Sequence, residues 1–199
     1  MPKIRIAALI LAAGSSSRMG TLKQLLPFKK TTILEETIEN VKQADIDKIY
    51  CVLGAEASSI KPYLQKHSID LVINSDYKEG LSSSIKCGIE GIQNEGFDAV
   101  LIALGDQPLI QTKFFNTLIK EFKSDQKKIV AADYNNSFGV PVVISNNYFS
   151  DLLKLKGDKG AKEFLNSQNH TIIGLKTENL FDIDTQKDYQ KLIKRIEKT

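Results

Sequence analysis

The stretch Ile6-Ala7-Ala8-Leu9-Ile10-Leu11-Ala12-Ala13-Gly14-Ser15-Ser16-Ser17-Arg18-Met19-Gly20, followed by Lys23, decides how the rest of the 199-residue chain is read. An unbroken apolar run, too short to cross a bilayer, gives way at Ala13-Gly14 to small and hydroxylated residues, as a buried strand does when it enters a tight open loop. Gly14 and Gly20 permit backbone conformations that a side chain forbids. The small residues Ser15 and Ser16 leave the amides accessible, so several N–H groups can converge on one anion. Arg18 and Lys23 supply the countercharge. The loop lacks the Gly-Lys-Ser/Thr ending of a Walker loop, and its glycines are spaced more widely than those of the dinucleotide fingerprint. Composition alone also fits an ordinary βα turn; the buried strand, the small-residue loop, Arg18 and Lys23 together favour an anion site.

With 42% hydrophobic residues, the chain is long enough for one sizeable core and short for two, so a single domain over residues 1–199 is expected. Lys and Arg total 27 against 24 Asp and Glu without a basic block, which argues against a nucleic-acid partner but leaves room for a positive pocket. Cys51 and Cys87 lie in apolar periodic segments without metal-ligand spacing, and read as reduced core thiols. No segment is long enough to span a membrane, and the N-terminus, with Lys3 and Arg5 at the first strand, lacks a signal-peptide cleavage pattern; a soluble cytoplasmic protein is expected.

Outward from the loop, the spacing of Ile33, Leu34, Thr37, Ile38 and Val41 predicts an amphipathic helix capped by Thr31 or Thr32. Lys48 to Gly54 reads as a strand, Ser58 to His67 as a short helix beginning near Pro62, and Ile69 to Asn74 as a third strand. Gly80-Leu81-Ser82-Ser83-Ser84 opens a helix whose hydroxyls can satisfy free amides or meet a ligand. Ala99 to Leu104 is the next continuous apolar strand, as expected of a central parallel strand covered on both faces. Thr112 to Phe122 follows as a helix, Lys128 to Ala132 as a strand, and Val140 to Ile144 as a strand whose Pro141 marks an edge, a strand start or a bulge. Asn146–Leu155 and Lys159–Leu165 read as helices, Thr171–Leu175 as a strand and Thr185–Glu197 as a closing helix. This alternation predicts an α/β fold with a mostly parallel sheet between helices and a ligand beyond the strand C-termini.

In such a sheet Gly14 and Asp106 face one crevice. Asp106 follows the most buried strand, where a hard oxygen ligand could hold Mg²⁺ against phosphates; an aspartate bonding its own turn before Pro108 is the alternative. In Phe181-Asp182-Ile183-Asp184-Thr185-x-x-Asp188, Asp184 or Thr185 is an N-cap candidate with Asp188 near the third helical position. His67 and His170 read as surface residues.

Leu11-Ala12-Ala13-Gly14-x-Ser16-x-Arg18-Met19-Gly20-x-x-Lys23-x-Leu25-Leu26-Pro27 resembles the signature loop of nucleotidyltransferases related to molybdenum cofactor cytidylyltransferase, and further matches run to Asp188. The resemblance implies a Rossmann-like three-layer αβα fold with a mixed sheet containing one antiparallel strand. It places a nucleotide triphosphate on the loop from Leu11 to Gly20, with Arg18 and Lys23 on its phosphates. Gly80, Ser82 and Ser84 would line the nucleoside pocket, although helix capping also accounts for the serines. Mg²⁺ would sit on Asp106 and on Asp184, with Asp182 as the alternative to Asp184. Gly139 and Pro141, and Asp158 and Lys159, match motifs on the acceptor side. Ala13 stands where guanylyl-transferring relatives carry glycine, which implies CTP.

The implied reaction is transfer of CMP to the terminal phosphate of a molybdopterin-type cofactor, with release of pyrophosphate and transient contact with a molybdenum enzyme. A phosphate monoester is mostly dianionic near neutral pH, its second pKa being about 6, so it needs no general base. The chain departs from the pattern at Val140, where some molybdopterin-acting members carry histidine. A sugar phosphate or other small phosphate acceptor, and a non-catalytic cofactor carrier, remain the alternatives.

Overall fold

A computed structural model of the chain describes residues 3–16, 19–135, 137–158, 160–166, 171–177 and 179–197. The apolar run becomes β1 (Ile6–Ala12), with all seven residues buried. Its side chains alternate between two layers: Ile6, Ala8, Ile10 and Ala12 enter one hydrophobic cluster, and Ala7, Leu9 and Leu11 the other.

The further strands are β2 (Pro27–Phe28), β3 (Thr31–Thr32), β4 (Lys48–Leu53), β5 (Asp70–Ile73), β6 (Ala99–Leu104), β7 (Ile129–Asp133), β8 (Phe138–Ser145) and β9 (Ile172–Leu175). The helices are α1 (Ile33–Lys42), α2 (Ala57–Leu64), α3 (Leu81–Ile92), α4 (Thr112–Ser124), α5 (Phe149–Leu152), α6 (Ala161–Leu165) and α7 (Gln186–Ile196). Seven strands form one sheet in the order β5-β4-β1-β6-β8-β7-β9, while β2 and β3 make a separate small hairpin.

The chain runs outward from β1 to β4 and β5, then returns to β6 on the other side of β1, so the connections diverge above β1 and open a crevice there. β1 is parallel to both β4 and β6. β8 alone runs antiparallel to its neighbours β6 and β7, and β7 and β9 are parallel again. This is the mixed sheet that the resemblance implies.

Pro141 lies inside the sheet at a bulge: Val142 pairs with Ala131 but Gly139 with Ala132, and pairing toward β6 ends at Val142. A residue without an amide hydrogen is tolerated where the ladder is already interrupted.

Leu34 and Ile38 of α1, Leu64 of α2, and Phe115, Leu118 and Phe122 of α4 cover one face of the sheet. Ile85, Ile89 and Ile92 of α3, Leu152 of α5 and Leu165 of α6 cover the other. Full burial of each such side chain contributes about 1.5–3 kcal/mol, so the crevice stands on a rigid frame.

Three local expectations change. α2 begins at Ala57, whose N–H reaches Gly54 O at 3.2 Å, and Pro62 lies inside it rather than at its start. The first turn closes on the Gly54 and Glu56 carbonyls and needs no proline. The helix expected over Asn146–Leu155 is a 3₁₀ turn at Asn146–Tyr148 followed by the one-turn α5, because Ser145 Oγ accepts from Asn147 N and sets a tight start. His67 is buried rather than on the surface, with Nδ1 2.9 Å from Glu39 Oε1 and Nε2 3.5 Å from Glu35 Oε1. His170 lies outside the described residues. Among the described residues no helix is long and apolar enough to cross a membrane.

α7 starts from a capping box, Thr185 Oγ1 accepting from Asp188 N at 3.2 Å and Asp188 Oδ2 from Thr185 N at 3.1 Å. Its Leu192 packs with Ile183, Met19, Phe28 and Ile33 in a third cluster, and Tyr189 Oη donates to Pro27 O at 2.8 Å. These contacts fasten the segment from Phe181 to Asp184 beside the loop that follows β1.

Candidate active site

Because β1 and β6 are adjacent and parallel, their following loops emerge side by side; Gly105 N–H donates to Leu11 O at 2.9 Å. The crevice holds a cleft of about 700 Å³. Leu11 and Ala12 line it from the end of β1, Ala13, Gly14, Ser15, Ser16 and Lys23 from the loop that follows, Asp106 from beyond the end of β6 and Asp184 from the segment before α7. Gly80, Ser84 and Asp158 line it from the start of α3 and the turn before α6.

Lys23 joins the two candidate carboxylates. Its Nζ donates to Asp106 Oδ2 and, at 3.1 Å, to Asp184 Oδ1. The Lys23 and Asp106 side chains are 14% and 13% exposed, so this pair is largely withdrawn from water. Burial works against the Lys23 charge, but Asp106 and Asp184 outweigh it and hold the ammonium above the usual lysine range. Burial also pushes the Asp106 carboxyl up; Lys23 opposes this, and Asp182 and Asp184 reinforce it. Asp106 and Asp184 meeting a largely buried ammonium at the end of a buried strand form an arrangement of the kind found at functional sites.

Not every expected residue reaches the cleft. Met19 is buried in the third cluster, and Gly20, with φ +66°, lies in the turn beyond it. Ser82 is buried with its hydroxyl unpartnered, while its N–H donates to Gly157 O at 3.1 Å. Gly139 and Pro141 lie on β8 away from the cleft lining, the Tyr134 ring covering Gly139 so closely that an added Cβ would stand 2.8 Å from Cε2. Arg18 and Lys159 lie outside the described residues.

The start of α3 has a mechanical explanation. Its N-cap is Gly80 at φ +93°, where a Cβ would meet Asp158 Oδ1 at 2.2 Å, so the α6 turn presses directly on this residue. Ser83 and Ser84 do not cap the helix from the N-cap position. Asn74 Nδ2 donates to both hydroxyls, at 2.9 and 3.1 Å, and fixes Ser84 at the cleft.

Sequence reasoning missed four features. Gln24, in an unspecified position of the loop pattern, is 2% exposed and donates to the carbonyls of Ala12 and Gly14. Tyr77 and Lys78 line the cleft from a 3₁₀ turn. Gly54 packs so tightly against the first loop that a Cβ would stand 2.4 Å from Ala13 O. Gln107 Nε2 donates to Asp182 Oδ1 at 2.5 Å and Tyr134 Oη at 3.1 Å, and Tyr134 donates to Val140 O at 2.7 Å. This network engages Asp182, leaving Asp184 as the cleft-facing acid; burial pushes the Tyr134 hydroxyl up to about 12. The signal available in sequence was the presence of glutamines beside Lys23 and Asp106, where solvated charges would be ordinary.

The donor set suits a hard divalent cation. Two carboxylates already converge on one positive centre, the Lys23 ammonium, and Asp106 Oδ1 is buried without a hydrogen-bond partner. Among the described residues no cluster of three His, Cys, Asp or Glu forms. The protein would therefore supply two ligands and leave the remaining positions to phosphate oxygens and water, as Mg²⁺ sites commonly do.

Known proteins share this architecture. The molybdenum cofactor cytidylyltransferase of Escherichia coli K12 is 27% identical over 186 residues, covering 92% of this chain and 93% of that protein. The purine catabolism protein PucB of Bacillus subtilis 168 is 25% identical over 197 residues, covering 92% and 94%. Rv0371c of Mycobacterium tuberculosis H37Rv is 28% identical with a TM-score of 0.84, covering 96% of this chain and 98% of that one, and has also been solved in complex with manganese. Residues 8–172 match the family model of the MobA-like NTP transferase domain, so the chain belongs to that family and is a nucleotidyltransferase.

Proposed function

We propose that the cleft transfers CMP from CTP to the terminal phosphate of a molybdopterin-type acceptor and releases pyrophosphate. The observation that carries the reading is the convergence of Asp106 and Asp184 on Lys23 beside the Gly14–Ser16 loop. The loop amides, Arg18 and Lys23 bind the β- and γ-phosphates, and Lys23 neutralises charge growing on the leaving pyrophosphate. Asp106 and Asp184 would hold Mg²⁺ or a similar divalent ion, which would supply Lewis-acid neutralisation of the phosphate charge. Of the residues lining the cleft, Leu11, Ala12, Ala13, Gly80 and Ser84 are assigned to the nucleoside and Asp158 to the acceptor, following the family resemblance. The acceptor's own dianion attacks, so no residue has to remove a proton.

Cytosine is the base we assign because Ala13, which lines the cleft beside Gly54, stands where guanylyl-transferring relatives carry glycine. A methyl is worth about 1–3 kcal/mol of discrimination. A sugar phosphate or other small phosphate is the second acceptor class, because Val140 stands where some molybdopterin-acting relatives carry histidine and its carbonyl is taken by Tyr134. Competing CTP with GTP at equal concentration, with a molybdopterin acceptor and Mg²⁺, tests the assignment by product mass. A cytidylylated product that gives way partly to guanylylation in Ala13→Gly is expected; a mainly guanylylated product from the unmutated protein overturns the nucleotide assignment.

A further inference from the structure

The buried Gln24 side chain uses both its amide hydrogens and its oxygen in hydrogen bonds beside the cleft. Its amide nitrogen has two hydrogens, donated to Ala12 O at 3.2 Å and Gly14 O at 2.9 Å. Its Oε1 accepts from Ser16 Oγ at 3.0 Å, and the same Oγ accepts from Lys23 N at 3.2 Å. One buried amide thus ties together both ends of the loop and the backbone of the lysine that meets Asp106. Ser16 is held at φ +52°, a conformation that a non-glycine residue keeps only when its surroundings impose it.

The direction of these bonds matters. In a planar trans peptide the C=O and the following N–H point opposite ways. Carbonyls of Ala12 and Gly14 turned toward Gln24 therefore turn the amides of Ala13 and Ser15 away from it. Among the described residues, Ser15 N–H donates to no backbone carbonyl in the turns and loops.

We infer that Gln24 is a positioning residue: it presets the loop amides, together with the Lys23 backbone, for a nucleotide triphosphate. The inference rests on the triphosphate reading of the cleft. Without it the loop must be ordered when the phosphates bind, which weakens affinity for ligands that use the loop amides and leaves others nearly untouched. Ser16, which bridges Gln24 to Lys23, shares this role.

Gln24→Met keeps the length of the side chain and removes both donors; Gln24→Glu keeps the shape and sets an acceptor against two carbonyls. The test measures CTP and CMP binding with Mg²⁺ by calorimetry, amide hydrogen exchange across residues 12–16, and melting temperature, each for both variants and the unmutated protein. Both variants are expected to bind CTP about tenfold or more weakly and CMP within about threefold, with faster exchange in the loop. In Gln24→Glu the loss, taken relative to the unmutated protein at each pH, should shrink from about pH 8 to about pH 6, because a protonated carboxyl regains one donor and burial favours that form. Gln24→Met should show no such recovery.

Equal losses for CTP and CMP, or an unchanged CTP affinity in a folded Gln24→Met variant, would overturn the positioning role while leaving the nucleotide reading intact. No CTP binding by the unmutated protein, with loop exchange still accelerated in the variants, would overturn the nucleotide reading and the phosphate role built on it. If Gln24→Met does not fold, the pH recovery of Gln24→Glu decides: its absence overturns the inference.

Discussion

Replacing Asp106 by asparagine should abolish turnover with little loss of fold, and the structure sets both magnitudes. The substitution keeps shape but removes the charge that would hold a divalent ion. Charge stabilisation from such an ion is worth several kcal/mol, and about 4 kcal/mol corresponds to about a thousandfold in kcat. Stability responds to two opposing effects. Burial, with Asp182 and Asp184, raises the Asp106 carboxyl. A raised folded value gives stability that is complete below the unfolded value of about 3.9 and is lost as pH rises through the folded value. At neutral pH a neutral amide avoids that loss.

Against this, Lys23 loses its nearest counter-charge, and removing one partner of a buried pair costs about 3–5 kcal/mol. The cost is smaller here because Asp184 stays 3.1 Å from Nζ. The two effects should leave a net change of about 1–2 kcal/mol, which at about 2–4 °C per kcal/mol moves the melting temperature by less than about 8 °C. Pyrophosphate release and a thermal melt on the same preparation check both figures. A folded Asp106→Asn protein with activity within about threefold of the unmutated one would return Asp106 to the role of a turn residue.

Lys23→Ala should lose more activity than Lys23→Arg, since a cation still reaches the phosphates in the latter, and Arg18→Ala should weaken CTP binding more than CMP binding; equal effects on the two nucleotides would take Arg18 off the outer phosphates. Gly54→Ala should raise KM for the nucleotide and cost about 1–3 kcal/mol of stability, because its Cβ would stand 2.4 Å from the Ala13 carbonyl and 2.8 Å from Tyr77 Cβ, both of which line the cleft; unchanged kinetics would refute it. The Glu35 carboxyl lies below its usual range although burial opposes it, held there by Lys66, Thr32 and His67. That contribution is present above the unfolded value of about 4.3 and fades as pH falls through the folded one, so Glu35→Gln should flatten the acid side of the stability curve; parallel curves for the two proteins would refute it.

The layers were legible because their periods were unambiguous: β1 and β6 are continuous apolar runs that only a doubly covered strand requires, and α1 repeats at helical spacing after its capping box. The place of β8 was not legible from hydropathy, since an antiparallel strand buried on both faces reads like its parallel neighbours; Pro141 signalled irregularity without saying which kind. At the site, Gly14 and Asp106 could be brought together on paper because strand ends share one edge, whereas Lys23 and Asp184 joined them through the family resemblance. Gln24 and Gln107 could not, because a buried glutamine is explained only by the carbonyls and carboxylates around it, and those are set by tertiary contact. His67 shows the same limit: its burial depends on two carboxylates of α1 that lie far from it in sequence.

The most direct test of the central claim follows the phosphorus atoms. The protein is mixed with Mg²⁺, a molybdopterin acceptor and CTP radiolabelled at either the α- or the γ-phosphate. The account predicts that the α-label enters the acceptor as a cytidylyl group and that the γ-label leaves as pyrophosphate. Transfer of the γ-label to the acceptor, or its release as orthophosphate with the acceptor unchanged, would contradict it.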